Sequence, residues 1–275
     1  MNKLFVLDFD FYTTFLGGQS FSWDYEEGLF KGFTSQRYIE IKREQDHILW
    51  QTYPVKDDIA YLTKYLRLDV NYRGILKKFP EDEYIGKAKD RFPGLRLLSQ
   101  DFQDTLLGFL CSSNKSVKAI RKSIRNLREM YGEEISVNGK TVKLFPKLES
   151  ISVTSKEKLL SSGVGFRAGY ILEAANRFVK RDFENIENMD YEQAKELLIA
   201  NKGIGDKVAD CILLYSLKHD HIMPLDVWGK RILSRYYNLD ESMRYNEMQD
   251  WVSRYFNGVG GWAGQMLFEY IRGFK

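Results

Sequence analysis

Two side chains in the C-terminal half of the sequence have the types needed for covalent chemistry at carbon. They are the amine Lys207 and, nineteen residues on, the carboxylate Asp226. Lys207 follows Asn201-Lys202-Gly203-Ile204-Gly205-Asp206, where one helix is expected to end near Ala200 and another to start near Asp206. Gly203 and Gly205 permit backbone angles closed to other residues and let an anion approach the main chain. The second helix presents free N–H groups and the positive end of its dipole at that turn, a setting suited to a phosphate. A lysine in the first helical turn sits where the dipole disfavours a cation. With Cys211 at i+4, it shares a helix face with largely apolar surroundings, which favours the neutral, nucleophilic amine. Asp226, within Pro224-Leu225-Asp226-Val227-Trp228, precedes a helical pattern and also reads as that helix's cap. The two roles are compatible, because a cap fixes orientation. From these residues alone, the glycine turn also reads as an ordinary helix–turn–helix corner.

The elements that position these residues fall into two textures. Residues 3–11 alternate loosely, residues 19–33 are aromatic and punctuated by glycine, and residues 38–53 give two alternating stretches broken around Glu44–Asp46. This pattern predicts an antiparallel sheet. From about residue 67, apolar side chains recur at helical spacing, as in Leu106, Leu107, Leu110 and Cys111. Residues 137–146 interrupt the helices as a small hairpin with Asn138-Gly139 as its turn. The fold class expected is therefore α+β, with a sheet domain over 1–67 and a larger helical region over 68–275. The helix–hairpin–helix falls at about 191–218.

Composition narrows the class without naming it. The 275 residues carry 41 Lys+Arg against 38 Asp+Glu, a bias too slight to identify a nucleic-acid partner. Only two cysteines occur, Cys111 and Cys211, which excludes a disulfide framework or a four-cysteine metal site. The N-terminus lacks a signal-peptide core, and no apolar run reaches a membrane span, so a cytoplasmic protein is expected. Between 115 and 128, Lys115, Lys118, Arg121, Lys122, Arg125 and Arg128 occur with no acid, opposite Val117, Ile120, Ile124 and Leu127. That amphipathic helix carries either a solvated basic face or phosphate contacts near its start. His219-Asp220-His221 lacks further partners for a tetrahedral metal site and reads as a polar loop.

The ordered set of motifs carries a resemblance. The stretch around GIGDKVADC (203–211) with PLDVW (224–228) resembles the helix–hairpin–helix, Gly/Pro-rich loop and aspartate signature of base-excision repair glycosylases. LGGQSFSW (16–23), YLRLDV (65–70), PGLRLLSQD (93–101), GFLCSSN (108–114), GVGFRAGY (163–170) and GWAGQMLF (261–268) are similar, in order, to the 8-oxoguanine DNA glycosylase family. The likeness spans nearly the whole chain. It implies a TBP-like N-terminal sheet, with a cleft between helical subdomains of the glycosylase region. It further implies a bifunctional enzyme that flips 8-oxoguanine out of duplex DNA and excises it through Lys207, then cleaves the strand by β-elimination. Asp226 would stabilise the cationic sugar.

The same resemblance implies a base pocket of Gly18, Gln19, Cys211, Pro224, Gln265 and Phe268. In that pocket the Gly18 carbonyl accepts from the N7–H that the oxidised base alone carries. Asn114 and Arg167 would face the base left behind, and Phe166 would wedge into the stack. Asn114 reads alternatively as a cap for the basic helix. Gly203, Gly205 and Val208 would hold the DNA backbone, with a monovalent cation on the carbonyls of Ile199, Asn201 and Ile204 when DNA is bound. No cofactor or catalytic metal is implied, and the partner is lesion-containing double-stranded DNA bound by a monomer beside the chromosome (in the nucleus if the source is eukaryotic). Three positions depart from the family. Ala119 replaces an arginine that enforces cytosine opposite the lesion, Gly264 stands where the family has its pocket glutamine, and Trp228 replaces a phosphate-binding histidine. Looser opposite-base selectivity is the expectation. Competing readings are a related glycosylase for alkylated or ring-opened purines, and a non-catalytic helix–hairpin–helix DNA-binding module.

Overall fold

The computed structural model describes residues 1–273. The N-terminal part is a five-stranded antiparallel sheet of β1 (Asn2–Phe5), β2 (Trp23–Glu26), β3 (Leu29–Phe33), β4 (Tyr38–Arg43) and β5 (His47–Tyr53), in the order β1-β5-β4-β3-β2. Alternation puts Phe30, Ile39, Ile41, Ile48 and Trp50 in one buried cluster, as the pleat requires. The first strand is shorter than its sequence pattern suggests. It stops at Phe5, and Asp10 then accepts the Thr13 N–H at 3.0 Å to cap α1 (Phe11–Leu16). Phe11 and Phe15, at i and i+4, point into the sheet core, where Phe15 stacks on Trp23 with ring centroids 3.9 Å apart. A local cap and a helical aromatic pair thus win over what reads as loose alternation.

Helix α2 (Ile59–Tyr65) packs Leu62 and Tyr65 on the same face. After α3 (Tyr72–Leu76) and α4 (Glu83–Arg91), the chain runs without helix or strand through residues 95–100. There Leu98 enters the sheet core while Leu95 and Leu97 enter the helical core. This segment stitches the two cores together.

The helical region comprises α5 (Phe102–Leu110), α6 (Val117–Tyr131), α7 (Leu148–Ser152), α8 (Lys156–Leu159), α9 (Ala168–Val179), α10 (Tyr191–Ile199), α11 (Asp206–Leu217), α12 (Val227–Tyr237), α13 (Tyr245–Tyr255) and α14 (Gly260–Arg272). The hairpin of β6 (Glu134–Val137) and β7 (Lys140–Lys143) turns at Asn138 and Gly139, with φ of 50° and 80°. Those angles match the turn type whose twist suits a two-residue hairpin. On α6, Ile120, Ile124 and Leu127 are buried as the amphipathic pattern requires. Much of its basic face turns toward the sheet. Arg121 donates to the carbonyls of Phe15 and Trp23, Arg125 pairs with Asp24, and Arg128 lies 3.5 Å from the Phe33 ring centroid. The helix is capped by Ser116, whose side chain accepts from Ala119, so Asn114 is not its cap. Among the described residues, no helix is long and apolar enough to cross a membrane.

Candidate active site

A cleft of about 840 Å³ opens where the α5–α6 loop, α11, the loop before α12, and α14 converge. Lys207, Cys211, Asp226, Pro224, Phe268 and Gly18 all line it, although they come from opposite ends of the chain.

Helix α11 begins at Asp206 after the Gly205 cap, so Lys207 does sit in its first turn. The Lys207 amine lies 5.4 Å from the Phe109 ring centroid, one turn before Cys211 on the same helix. Burial pushes the Cys211 thiol up to about 12, only partly opposed by the Lys207 charge, so Cys211 faces the cleft as a neutral, polarisable wall. Another turn on, Tyr215 stacks on Phe109 at 5.5 Å and donates to Gln265 Oε1 at 2.7 Å.

Asp226 caps α12. Its Oδ1 accepts from the N–H groups of Trp228 at 2.8 Å and Gly229 at 2.9 Å, which leaves Oδ2 outside the cap. Gly229 lets the helix start this close to the preceding loop, because a Cβ there would meet the Pro224 carbonyl at 2.9 Å. The loop itself is held from below. Gln249 accepts from the Met223 N–H and donates to the Met223 carbonyl, and the Tyr245 hydroxyl accepts from the Leu225 N–H. Gln249 and Tyr245 in turn donate to Asp210, fully buried on α11, which also takes the Tyr191 hydroxyl at 2.9 Å and faces Lys195 at 3.5 Å. The helix bearing the amine and the loop bearing the carboxylate therefore share one buried polar knot. Asp210 lies inside the VADC string, but nothing local in that string tells a buried hub from a solvated helix acid.

On the opposite wall, the Gly18 N–H donates to Glu269 Oε1 at 3.1 Å, and a Cβ on Gly18 would lie 2.9 Å from Phe268 Cε1. Burial pushes the Glu269 carboxyl above its ordinary range, and Arg272 beside it opposes the shift. Gly264 and Gln265 both line the cleft. The Gln265 amide accepts from Tyr215 and donates to Glu269 at 3.2 Å.

Four expectations need correction. Gln19 is not a pocket residue: it is fully buried, with Nε2 donating to the Arg96 carbonyl and Oε1 accepting from the Leu98 N–H, both at 2.8 Å. A side chain with no exposed surface, held through both its nitrogen and its oxygen by buried backbone, is not presented to a base. Arg167 is buried at 4% exposure, donates to the Val164 carbonyl, and lies 4.2 Å from the Phe166 ring centroid, so it is stowed rather than presented. Of the hairpin glycines, only Gly203 has a left-handed backbone, with φ of +88°. Gly205 is extended (φ −103°, ψ −177°) and acts as the α11 cap, beside open space. Asn114, finally, lines the cleft from a left-handed backbone (φ 49°) instead of capping α6.

The other expected contacts are placed as follows. Val208 lines the cleft, and Phe166 is 61% exposed beyond it. Gly203 packs so tightly that a Cβ would lie 2.3 Å from Tyr170. The Asn201 carbonyl accepts from the Ile204 N–H at 3.1 Å and keeps a second lone pair. As neutral oxygen donors, the carbonyls of Ile199, Asn201 and Ile204 suit a hard cation.

Residues 4–106 match the family described as 8-oxoguanine DNA glycosylase, N-terminal domain, and residues 107–256 match the HhH-GPD superfamily base excision DNA repair proteins. The chain is 30% identical over 268 residues to the N-glycosylase/DNA lyase of Saccharomyces cerevisiae, covering 86% of this chain and 70% of the relative. It is 35% identical over 209 residues to a probable N-glycosylase/DNA lyase of Methanothermobacter thermautotrophicus, covering 64% and 67%. Among solved structures, MBOgg1 in complex with a low-affinity DNA ligand superposes with a TM-score of 0.92 at 30% identity, over 99% of this chain and 95% of that one. The Clostridium acetobutylicum 8-oxoguanine glycosylase/lyase, bound to duplex DNA with cytosine opposite 8-oxoguanine, gives 0.88 at 25% identity, over 99% and 98%. Both matched families, the relatives and the convergent cleft agree: the chain belongs to the 8-oxoguanine DNA glycosylase branch of the HhH-GPD base excision repair superfamily.

Proposed function

We propose that this protein excises 8-oxoguanine from duplex DNA and then nicks the strand, using Lys207 as nucleophile and Asp226 as the charge partner. One observation carries the proposal. Lys207, Cys211, Asp226, Gly18 and Phe268 line a single cleft edged by the first turn of α11, which the glycine hairpin directly precedes. Such an edge binds phosphate without reading sequence. The cleft behind it accepts a base only if the nucleotide leaves the stack.

In this reading, the Lys207 amine adds to C1′ while the bond from C1′ to N9 breaks, and that bond's electron pair leaves with the base. Asp226 sits where the sugar becomes cationic. Ring opening gives an iminium between Lys207 Nζ and C1′. Loss of a C2′ proton then expels the 3′ phosphate, and water returns the free amine. Gly18 selects the base, because guanine would set an unprotonated N7 against its carbonyl, leaving that acceptor unpaired. Phe268 and the Cys211 thiol flank the base plane. With Ala119 at the position of the family arginine, the base opposite the lesion is read less strictly.

Borohydride trapping on an 8-oxoguanine duplex tests the assignment. The wild type should give a covalent complex and Lys207→Gln none. Equal trapping by both proteins removes Lys207 from the mechanism. A panel of lesion duplexes on which 8-oxoguanine ranks low rejects the substrate.

A further inference from the structure

We infer that Glu269, seconded by Gln100, is a specificity-positioning residue that aims the Gly18 carbonyl at the lesion. The inference rests on the 8-oxoguanine reading above and concerns how that reading is enforced.

A single carbonyl discriminates only if its direction is fixed before the base arrives. Gly18 lies just beyond α1 in a Gly-Gly pair, the most pliable dipeptide available. It is nevertheless anchored on both sides. Ahead of the carbonyl, the Gly18 N–H donates to Glu269 Oε1 at 3.1 Å. Beyond it, the Gln19 carbonyl accepts from Gln100 Nε2 at 2.7 Å. The Gln19 side chain is pinned between Arg96 and Leu98. The Gly18 carbonyl therefore belongs to a peptide unit whose neighbours on both sides are fastened.

Glu269 is itself over-determined. Its Oε1 also accepts from Gln265, and its Oε2 pairs with Arg272 at 3.2 Å. It is 5% exposed, on the same helix as the base-stacking Phe268, so one rigid element sets both the wall and the reader. Gly17 completes the fit, since a Cβ there would lie 2.7 Å from Glu269 Oε1. Gln265 thus serves this chain of bonds while lining the cleft.

The test separates base reading from sugar chemistry. A preformed abasic site presents no base, so strand cleavage there needs Lys207 but not an aimed Gly18 carbonyl. In single-turnover assays, Glu269→Leu should lose about tenfold or more in 8-oxoguanine excision, the worth of one aligned hydrogen bond. Its cleavage of an abasic duplex should stay within about twofold of wild type. Glu269→Gln keeps an acceptor for the Gly18 N–H and should recover most of the excision. Gln100→Met, which frees the neighbour on the other side, should reproduce the split and serves if Glu269→Leu does not fold. Parallel loss of both activities, or unchanged excision, in the variants that fold overturns the inference. Wild-type protein that leaves 8-oxoguanine intact would instead sink the substrate reading itself.

Discussion

Replacing Asp226 separates the cap that its carboxylate forms from the charge role proposed for it. Both cap hydrogen bonds fall on Oδ1, at 2.8 and 2.9 Å, and an asparagine Oδ1 can accept both. Asp226→Asn therefore keeps the cap and loses only charge. Its stability cost is the charge–dipole part alone, about 0.3–1 kcal/mol. Asp226→Ala loses the cap as well, about 1 kcal/mol more. At roughly 2–4 °C per kcal/mol for a chain approaching this size, the alanine variant should melt a few degrees below the asparagine variant. Activity should divide differently. Removing a preorganised group that meets developing charge costs about 2.7–4 kcal/mol, or roughly 100- to 1000-fold in rate. Single-turnover excision on an 8-oxoguanine duplex, alongside thermal melts, reads both quantities. Both variants should fall by that factor in excision, while only alanine loses the extra stability. An asparagine variant within about threefold of wild type refutes the charge role. Equal melting losses for the two variants refute the cap.

Further outcomes follow from single contacts. Gly203→Ala forces a β-carbon to within 2.3 Å of Tyr170 at a φ of +88°, so it should cost about 1–3 kcal/mol and weaken duplex binding. A variant with wild-type melting and wild-type DNA affinity excludes this packing role. Phe166→Ala removes a ring that is 61% exposed, so stability should change by less than about 0.5 kcal/mol. Lesion excision should nevertheless drop, and unchanged excision removes Phe166 as a wedge. Burial, reinforced by Asp101 beside it, holds the Asp104 carboxyl well above its ordinary range, so the fold retains that proton longer than the unfolded chain does. This contribution is complete below the unfolded pKa of about 3.9 and is lost as pH rises through the raised folded value. Asp104→Asn keeps an acceptor for the Ser35 N–H and should flatten the fall in melting temperature as pH rises above about 4. A slope equal to that of wild type counts against the assignment.

What could be read from the sequence was what depends on near neighbours. The turn at Gly203, the Asp226 cap, the Asn138-Gly139 hairpin and the buried stripe of α6 all arise from residues within a few positions of one another. The misreadings share a different cause. Whether Gln19 faces a ligand or the backbone of residues 96–98 depends on a segment nearly eighty residues away. Glu269 meets Gly18 across 251 positions, beyond the reach of any local pattern. Arg167 shares a motif with Phe166, yet one is buried and the other exposed, because the left-handed Gly163 and Gly165 turn the chain between α8 and α9. Glycine patterns announce that a bend exists but do not say which side chain it stows.

The polar knot around Asp210 has a consequence for how the protein breathes. The Met223 and Leu225 amides are bonded to the Gln249 and Tyr245 side chains instead of to a helix or sheet ladder. A loop held only by its own backbone would exchange these protons through small local openings. Here, releasing either amide means dislodging side chains from a fully buried carboxylate that α10, α11 and α13 share. The two amides should therefore exchange with deuterium as slowly as the core of α11, and the loop and that helix should open as one cooperative unit. On the proposed reading, the helix that carries Lys207 and the loop that carries Asp226 then stay assembled when no substrate is bound.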